Sequence, residues 1–331
     1  MIALETNRYI IELEPTAPFH FDATLHKPDH FPSPDNAWEP GVRWQTMRWQ
    51  GLPLGLKFEN RGSVDEPVIR LSVWAEKPLD SGFLDGLIAE IDYRCNLNLD
   101  LSEFYARFAD DAQLGPVIAR WRGLRPSAFG SLYEYLLIAI VLQNATVRRS
   151  VQMMQALLET YGTSLTYDGQ MLYCSWEPHA LDSVTEDDLR RLKVGYRART
   201  IRRVTDAFIG GATSAASTMD EMTLREASLE VQRKSLLALY GVGPASVGYI
   251  LFDMFHRWGE LSHISPWEQR IYSKLFLDRD PDDPAPAGEL LQLLDARFGE
   301  WKMMAVHYLW EDLFWQRIHQ PVDWLEALIR L

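Results

Sequence analysis

The sequence predicts an α+β fold, with a small β-rich N-terminal domain (residues 1–90) and a larger all-helical domain (residues 91–331). The extended, partly alternating segments YIIELEP and VIRLSVWAE lie in the first 85 residues, where Pro and Gly recur. Helical periodicity takes over from about residue 81. Because 47% of the 331 residues are hydrophobic, the chain can build a sizeable core and is not of the disordered class.

Composition excludes several classes of protein. The longest strongly apolar run, Tyr135–Leu142, is far shorter than a bilayer span, so we expect no membrane partner. The N-terminus MIALETNRYI lacks the pattern of a signal peptide, and a cytoplasmic protein is expected. The two cysteines cannot supply a four-Cys metal site, and no cofactor is expected. The net charge of −13 argues mildly against nucleic acid, although a basic face can lie on an acidic body.

Each helix is placed by apolar positions at helical spacing and by the residues at its ends. An acidic, Pro-rich loop, DRDPDDPAPAGE, separates two of the last helices. The predicted helices are Gly82–Tyr93, Leu101–Phe108, Ser131–Leu142, Thr146–Tyr161, Glu186–Leu192, Arg197–Phe208, Arg233–Leu239, Pro244–His256, Pro266–Phe276, Ala287–Phe298 and Trp301–His319.

A Gly-rich hairpin joins two of these helices within LLALYGVGPASVGYI, residues 236–250. The glycines of Gly241-Val242-Gly243 end the first helix, and Pro244 suits the first turn of the second. The backbone N–H groups of such a hairpin can point outward together and bind an anion. An ordinary tight corner between helices is the competing interpretation.

The segment SHISPWEQRIYSKLF, residues 262–276, contains a single carboxylate, Glu268. Ser265, Pro266 and Glu268 have the spacing of a capping box, with Ser at the N-cap and Glu three residues later. On these residues alone, Glu268 starts a helix.

The pattern L-x-x-L-x-G-V-G-P resembles the helix–hairpin–helix that holds a DNA phosphate in the base-excision DNA glycosylase superfamily. The chain is most similar to the bacterial alkylbase (AlkA-type) 3-methyladenine DNA glycosylases and to the related 8-oxoguanine glycosylases. The segments PFHFDATL, DYRCNLNLD, KVGYRARTI and WKMMAVHYLWEDLFWQ resemble further parts of these enzymes in the same order.

The resemblance implies a function in DNA repair. These enzymes flip a damaged base out of duplex DNA and cut its N-glycosidic bond. Some members form a Schiff base through a Lys beside the hairpin, and Ala245 occupies that position here. The resemblance therefore implies a monofunctional glycosylase that hydrolyses alkylated bases from damaged double-stranded DNA, and we expect it to act as a monomer.

The catalytic Asp of the family is missing. It lies about twenty residues past the hairpin, at the start of the next helix. An alignment on the apolar pattern of that helix places Glu268 at this position, whereas an alignment on loop length places Ser265 there. A Ser cannot perform the electrostatic work, so Glu268 is the candidate catalytic residue.

An aromatic cage would attract a cationic alkylated purine through ring faces. By resemblance, Tyr249 and Trp310 match pocket aromatics of the alkylbase enzymes, and Phe19 would close the pocket from the N-terminal domain. The family has Trp where this chain has Ala245. The pocket is therefore either wider or filled by Trp267. Core packing is the alternative for each of these rings.

The DNA-binding surface is expected on the hairpin and on two further segments. The stretch RRLKVGYRARTIRR, residues 190–203, holds seven Lys or Arg residues and no acid. A helix junction at Gln143 and Asn144 would fill the gap left by the flipped base. Arg233 and Lys234 would flank a phosphate. The candidate DNA-binding residues are Gly241, Val242, Gly243, Ala245, Gln143, Asn144, Arg149, Arg197 and Arg199.

Two other functions compete with that of an alkylbase glycosylase. Because the usual catalytic Asp is missing, the chain is alternatively a non-catalytic protein that recognises damaged or distorted DNA. A protein with no DNA role is the third interpretation, and the basic stretch counts against it. Within the enzyme hypothesis, excision of 8-oxoguanine is a further alternative.

Overall fold

The computed structural model describes residues 1–4, 7–27, 31–210 and 219–328, which form two compact units. Unit 1 comprises Met1–Arg107 and Ala119–Met219, and unit 2 comprises Phe108–Ile118 and Asp220–Leu331. The predicted division into 1–90 and 91–331 follows secondary structure rather than compactness, and it stays a prediction. Among the described helices, none has the length and apolar character that a bilayer crossing requires.

The described strands all belong to unit 1, and helices occur in both units. The strands are β1 (Ile2–Ala3), β2 (Asn7–Leu13), β3 (Asn36–Glu39), β4 (Val42–Trp49), β5 (Leu52–Asn60), β6 (Ile69–Ala75), β7 (Thr163–Tyr167) and β8 (Gln170–Cys174). The helices are α1 (Phe21–Leu25), α2 (Ser81–Cys95), α3 (Ser102–Phe108), α4 (Leu114–Arg120), α5 (Leu132–Leu142), α6 (Val147–Tyr161), α7 (Glu186–Arg191), α8 (Arg197–Ile209), α9 (Glu221–Arg225), α10 (Leu229–Leu237), α11 (Pro244–Phe255), α12 (Pro266–Leu277), α13 (Ala287–Phe298), α14 (Lys302–His319) and α15 (Asp323–Glu326).

Unit 1 is built on an antiparallel five-stranded sheet in the order β2-β6-β5-β4-β3. Alternate residues of the strands face a hydrophobic core that α2 covers through Leu87 and Ile91. Apolar residues on one face of a strand therefore become buried, as the alternating pattern of YIIELEP predicts. In the same unit, α5 packs against both α6 and α8.

The prediction of an all-helical second domain is wrong in one place, because residues 163–174 form the hairpin β7–β8. The turn residues Asp168 and Gly169 both have positive φ, at 48° and 75°. An Asp-Gly pair between β-rich segments is a strong hairpin signal that the helical assignment overlooked. β7 also pairs in parallel with β1, which places Leu165 beside Ile2. The predicted α+β class itself is confirmed.

Unit 2 is helical and contains the predicted helix–hairpin–helix as α10 and α11, followed by α12, α13 and α14. Its apolar helix faces are buried through residues such as Ile250, Ile271, Leu294 and Tyr308. The predicted helices are confirmed with small shifts at their ends. The largest shift is in α10, which begins at Leu229 rather than Arg233 because Ser228 caps it. The short helices α1, α4, α9 and α15 were not predicted.

Candidate active site and DNA-binding surfaces

The Gly-rich hairpin lies between α10 and α11 as predicted. Gly241 has a φ of 77°, a conformation that L side chains rarely adopt, and it turns the chain sharply. The cap residue of α11 is Gly243, and no side chain caps the first turn. A Cβ added at Gly243 would meet no atom within 4 Å, so the backbone is open to a ligand there. The uncapped N–H groups and the positive end of the α11 dipole can bind an anion.

Glu268 closes the capping box that its spacing predicts. Its Oε2 accepts a hydrogen bond from Ser265 N at 2.8 Å, and Ser265 Oγ accepts one from Glu268 N at 3.3 Å. Its Oε1 accepts bonds from Tyr249 Oη at 2.5 Å and Tyr272 Oη at 3.4 Å. Only 3% of the Glu268 residue surface is exposed. The carboxylate therefore lies between the start of α12 and the helix that follows the hairpin.

Tyr272 is the partner of Glu268 that the sequence did not reveal. Its ring is 2% exposed. Burial, and next the charge of Glu268, raise the pKa of Tyr272 well above its usual value. The phenol thus stays protonated and acts as a donor to the carboxylate.

The aromatic residues predicted for the base pocket are partly assembled within unit 2. Trp310 lies against Trp267 edge-on, with ring centroids 5.5 Å apart and planes at 88°, and its ring centroid is 6.4 Å from that of Tyr272. Trp267 Nε1 donates to Leu328 O at 3.0 Å, and Trp267 remains 40% exposed. Tyr249 joins this aromatic cluster through Glu268, which both tyrosines contact.

Phe19, the fourth predicted pocket residue, belongs to unit 1 and is 2% exposed. Its ring packs in the core of that unit, and the Arg125 guanidinium lies 5.2 Å from the ring centroid. Arg125 donates to backbone carbonyl groups, including Asn96 O at 2.6 Å and Pro18 O at 3.1 Å. The structure thus gives Phe19 a place in a packed core.

The junction between α5 and α6 in unit 1 brings several predicted DNA-binding residues around one exposed ring, Tyr196. Asn144 has a φ of 49°, and its Nδ2 donates to Tyr196 Oη at 3.3 Å. Tyr196 Oη donates to Gln143 O at 3.4 Å, and the ring is 58% exposed. Arg149 donates to Lys193 O, which ties α6 to the loop before Tyr196. Sequence reasoning missed Tyr196, although it lies within the segment KVGYRARTI.

Arg197 occupies a different position from the predicted one. It is 7% exposed and donates to Ile140 O at 3.2 Å and to Gln143 O. Its Cζ lies 4.7 Å from the centroid of the Tyr196 ring. Arg197 therefore stabilises the Tyr196 ring and the end of α5 from a buried position. Arg199, in contrast, is exposed.

Acidic neighbours neutralise much of the basic stretch 190–203. Arg190 pairs with Glu186 and Asp187, both at 2.7 Å. Arg191 pairs with Asp188 at 2.5 Å. Arg202 pairs with Asp206. The stretch 190–203 contains seven Lys or Arg residues and no acid, but acids that flank it pair with Arg190, Arg191 and Arg202. The stretch is therefore less positively charged than its own sequence indicates.

The predicted phosphate contact of Arg233 is also altered, since Arg233 pairs with Glu260 and donates to Ser262 Oγ at 3.4 Å. Lys234, the next residue, is exposed. The described residues contain no group of three or more His, Cys, Asp or Glu side chains placed to hold a metal ion.

Comparisons with known proteins find similar DNA glycosylases. A protein of Methanothermobacter thermautotrophicus called "Probable N-glycosylase/DNA lyase" is 25% identical over 253 residues, which cover 71% of this chain and 75% of that protein. The structure of a 3-methyladenine DNA glycosylase from Archaeoglobus fulgidus superposes with a TM-score of 0.72 at 14% identity, covering 92% of this chain and 99% of that one. No family model matches the sequence.

An 8-oxoguanine glycosylase/lyase of Clostridium acetobutylicum, in its apo form, gives a TM-score of 0.66 at 15% identity and covers 91% of this chain and 95% of that one. The fold is that of these DNA glycosylase structures. The predicted hairpin is present, and Ala245 and Glu268 stand where the resemblance in the sequence implies the Lys of some members and the catalytic Asp. The similar structures include both 3-methyladenine and 8-oxoguanine enzymes.

Proposed function

We propose that the protein is a monofunctional DNA glycosylase that removes damaged bases from duplex DNA by hydrolysis of the N-glycosidic bond. One observation carries this proposal: the carboxylate of Glu268 lies at the start of α12, bonded to the helix that follows the open hairpin. A carboxylate there can stabilise the positive charge that develops on the sugar as the base leaves.

The cap geometry of Glu268 is compatible with this role. Electrostatic stabilisation requires a negative charge at a fixed distance from the sugar, but it forms no bond to the carboxylate oxygens. These oxygens can therefore accept hydrogen bonds at the same time. The three donors hold the carboxylate at the positive end of the α12 dipole. Cap and catalyst can therefore be one side chain.

Hydrolysis without strand cleavage is the expected reaction, because Ala245 provides no amine for a Schiff base. Strand cleavage should be tested directly, because a related protein is called a probable N-glycosylase/DNA lyase. A product that remains an intact abasic strand until alkali treatment supports the monofunctional mechanism, whereas direct strand cleavage contradicts it.

Alkylated purines are the proposed substrates. They carry positive charge, and the half-buried rings of Tyr249 and Trp310 lie in the same unit as Glu268. On the DNA side, we propose that the exposed ring of Tyr196, held by Asn144 and Arg197, contacts bases at the gap left by the flipped nucleotide.

A non-catalytic DNA-binding protein is the second candidate function. It is favoured by the 3% exposure of Glu268 and by the engagement of both its oxygens, which leave the side chain little freedom. Such a protein binds damaged duplexes with a strong dependence on salt but excises nothing.

A panel of duplex oligonucleotides separates these candidates. It includes 3-methyladenine, hypoxanthine, 8-oxoguanine and an undamaged control, and both base release and binding are measured at two salt concentrations. Release of an alkylated base or hypoxanthine supports the proposal, and release of 8-oxoguanine alone reassigns the substrate. Salt-dependent binding without release on every duplex establishes the second candidate.

A further inference from the structure

Tyr249 contributes more to this site than an aromatic surface. We propose that Tyr249 is a positioning residue, whose hydroxyl group holds the Glu268 carboxylate in the orientation required for base excision. This inference rests on the proposed glycosylase function and adds a role for a hydroxyl group where only a ring was expected.

The geometry gives Tyr249 the shortest bond to the carboxylate. Tyr249 Oη lies 2.5 Å from Glu268 Oε1, whereas Tyr272 Oη lies 3.4 Å from the same oxygen. The other oxygen, Oε2, is held by Ser265 N at 2.8 Å. One oxygen is thus anchored to the start of α12 and the other to α11. Two anchors on different helices fix the rotation of a carboxylate that one anchor would leave free.

The surroundings of Glu268 explain why this bond matters to the carboxylate. Tyr249 is partly buried, whereas only 3% of the Glu268 residue surface is exposed. A carboxylate withdrawn from water in this way depends on protein donors, and Tyr249 Oη is the nearest of them.

The groups that face Glu268 are uncharged. α11 contributes Tyr249, α12 contributes Ser265 N and Tyr272, and α14 contributes the Trp310 ring that contacts Tyr272. No ion pair with this carboxylate occurs in the part of the chain that the structure describes. Hydroxyl and backbone N–H donors, rather than a cation, therefore hold the carboxylate in place, and removal of a hydroxyl should lower the rate of excision.

The test compares single-turnover excision by the full chain and its Tyr249→Phe and Tyr272→Phe variants on a duplex that the wild type cleaves, beginning with hypoxanthine. Phe keeps the ring and removes the hydroxyl. A hydrogen bond to a charged group supports a fall of roughly tenfold in the maximal rate of Tyr249→Phe. For Tyr272→Phe, whose bond is longer, we expect a fall of about twofold. The half-saturating DNA concentration should not change.

Tyr133→Phe is the matched control, because it removes a phenol hydroxyl that is hydrogen-bonded to Thr205 Oγ1 at 2.7 Å within unit 1, whereas Glu268 belongs to unit 2. In Tyr249→Phe the maximal rate should fall without a change in DNA affinity, since a positioned carboxylate acts in the transition state and not in DNA binding. A merely structural hydroxyl would lower the urea midpoint of Tyr249→Phe, as of Tyr133→Phe, and leave the maximal rate of the folded enzyme unchanged.

The outcomes are distinct. A lower maximal rate of Tyr249→Phe at unchanged DNA affinity, with an unchanged rate of Tyr133→Phe, supports the positioning role. If the wild type excises the base but Tyr249→Phe matches its maximal rate, the inference is overturned and the glycosylase function stands. If the wild type excises no base from any duplex, the proposed function is overturned and the positioning role with it.

Discussion

Glu268→Gln separates the helix cap from the proposed catalytic charge, because Gln has nearly the same shape and no charge. The amide oxygen can still accept from Ser265 N, and the amide N–H can donate to Tyr249 Oη. What is lost is the negative charge at the start of α12, about 0.3–1 kcal/mol. Neutral bonds are also weaker than charge-assisted ones, so the total loss of stability should be about 1–2 kcal/mol.

The expected loss of activity is larger than this loss of stability can explain. Removing one group that stabilises transition-state charge costs roughly 10²–10³-fold in rate. A protein with about 5–15 kcal/mol of stability that loses about 1–2 kcal/mol remains almost entirely folded. Glu268→Gln should therefore bind duplex DNA like the wild type but excise roughly 10²–10³-fold more slowly in a single-turnover assay.

Glu134→Gln is the matched control, since Ser131 and Glu134 form the same capping box at the start of α5. Burial raises the pKa of Glu134, so its charge is unfavourable in the folded state at neutral pH. This variant should lose no stability at pH 7 in urea unfolding and should retain the wild-type rate. A Glu268→Gln protein that excises within about threefold of the wild type would show that Glu268 only caps its helix.

Three further predictions concern stability. Although burial opposes it, the Arg297 guanidinium and the backbone N–H groups of Leu114 and Gln113 lower the pKa of Asp111 to about 2. Together these contacts should contribute about 1–2 kcal/mol above pH 4, lost as the pH falls toward 2. Between pH 4 and 2 the urea midpoint of the wild type should therefore fall further than that of Asp111→Asn. Gly55→Ala should cost about 1–3 kcal/mol, because its Cβ would lie 2.6 Å from the buried Tyr167 ring, and an unchanged urea midpoint would contradict this. Gly288→Ala, whose Cβ would meet no atom within 4 Å, should instead stabilise α13 by about 0.4–1 kcal/mol in the same assay, and a lower midpoint would refute the reasoning.

Local features were predictable from the sequence. The capping box at Ser265 and Glu268 spans one helical turn, and the hairpin at Gly241 and Gly243 depends on backbone conformations that glycine favours. The turn at Asp168 and Gly169 was equally local and was missed, because the surrounding segment was assigned to a helical domain.

Contacts between distant residues could not be read from the sequence. Tyr249 and Glu268 are 19 residues apart, and Asn144 and Tyr196 are 52 residues apart. The free cations of the basic stretch were overestimated, because a count of residues 190–203 omits the acids that flank it, such as Asp188 and Asp206.

The sequence by itself determined the helix–hairpin–helix and the capping box at the start of α12. It also showed that the carboxylate of this capping box, Glu268, follows the hairpin in the chain. Only the tertiary structure decided that Glu268 accepts hydrogen bonds from Tyr249 and Tyr272 while it caps its helix. Helix starts and tight turns depend on interactions over three or four residues, which a sequence displays directly. The direction of a side chain depends on which helices pack against it. That packing brings together residues far apart in the sequence, and no short sequence pattern indicates which of them will meet.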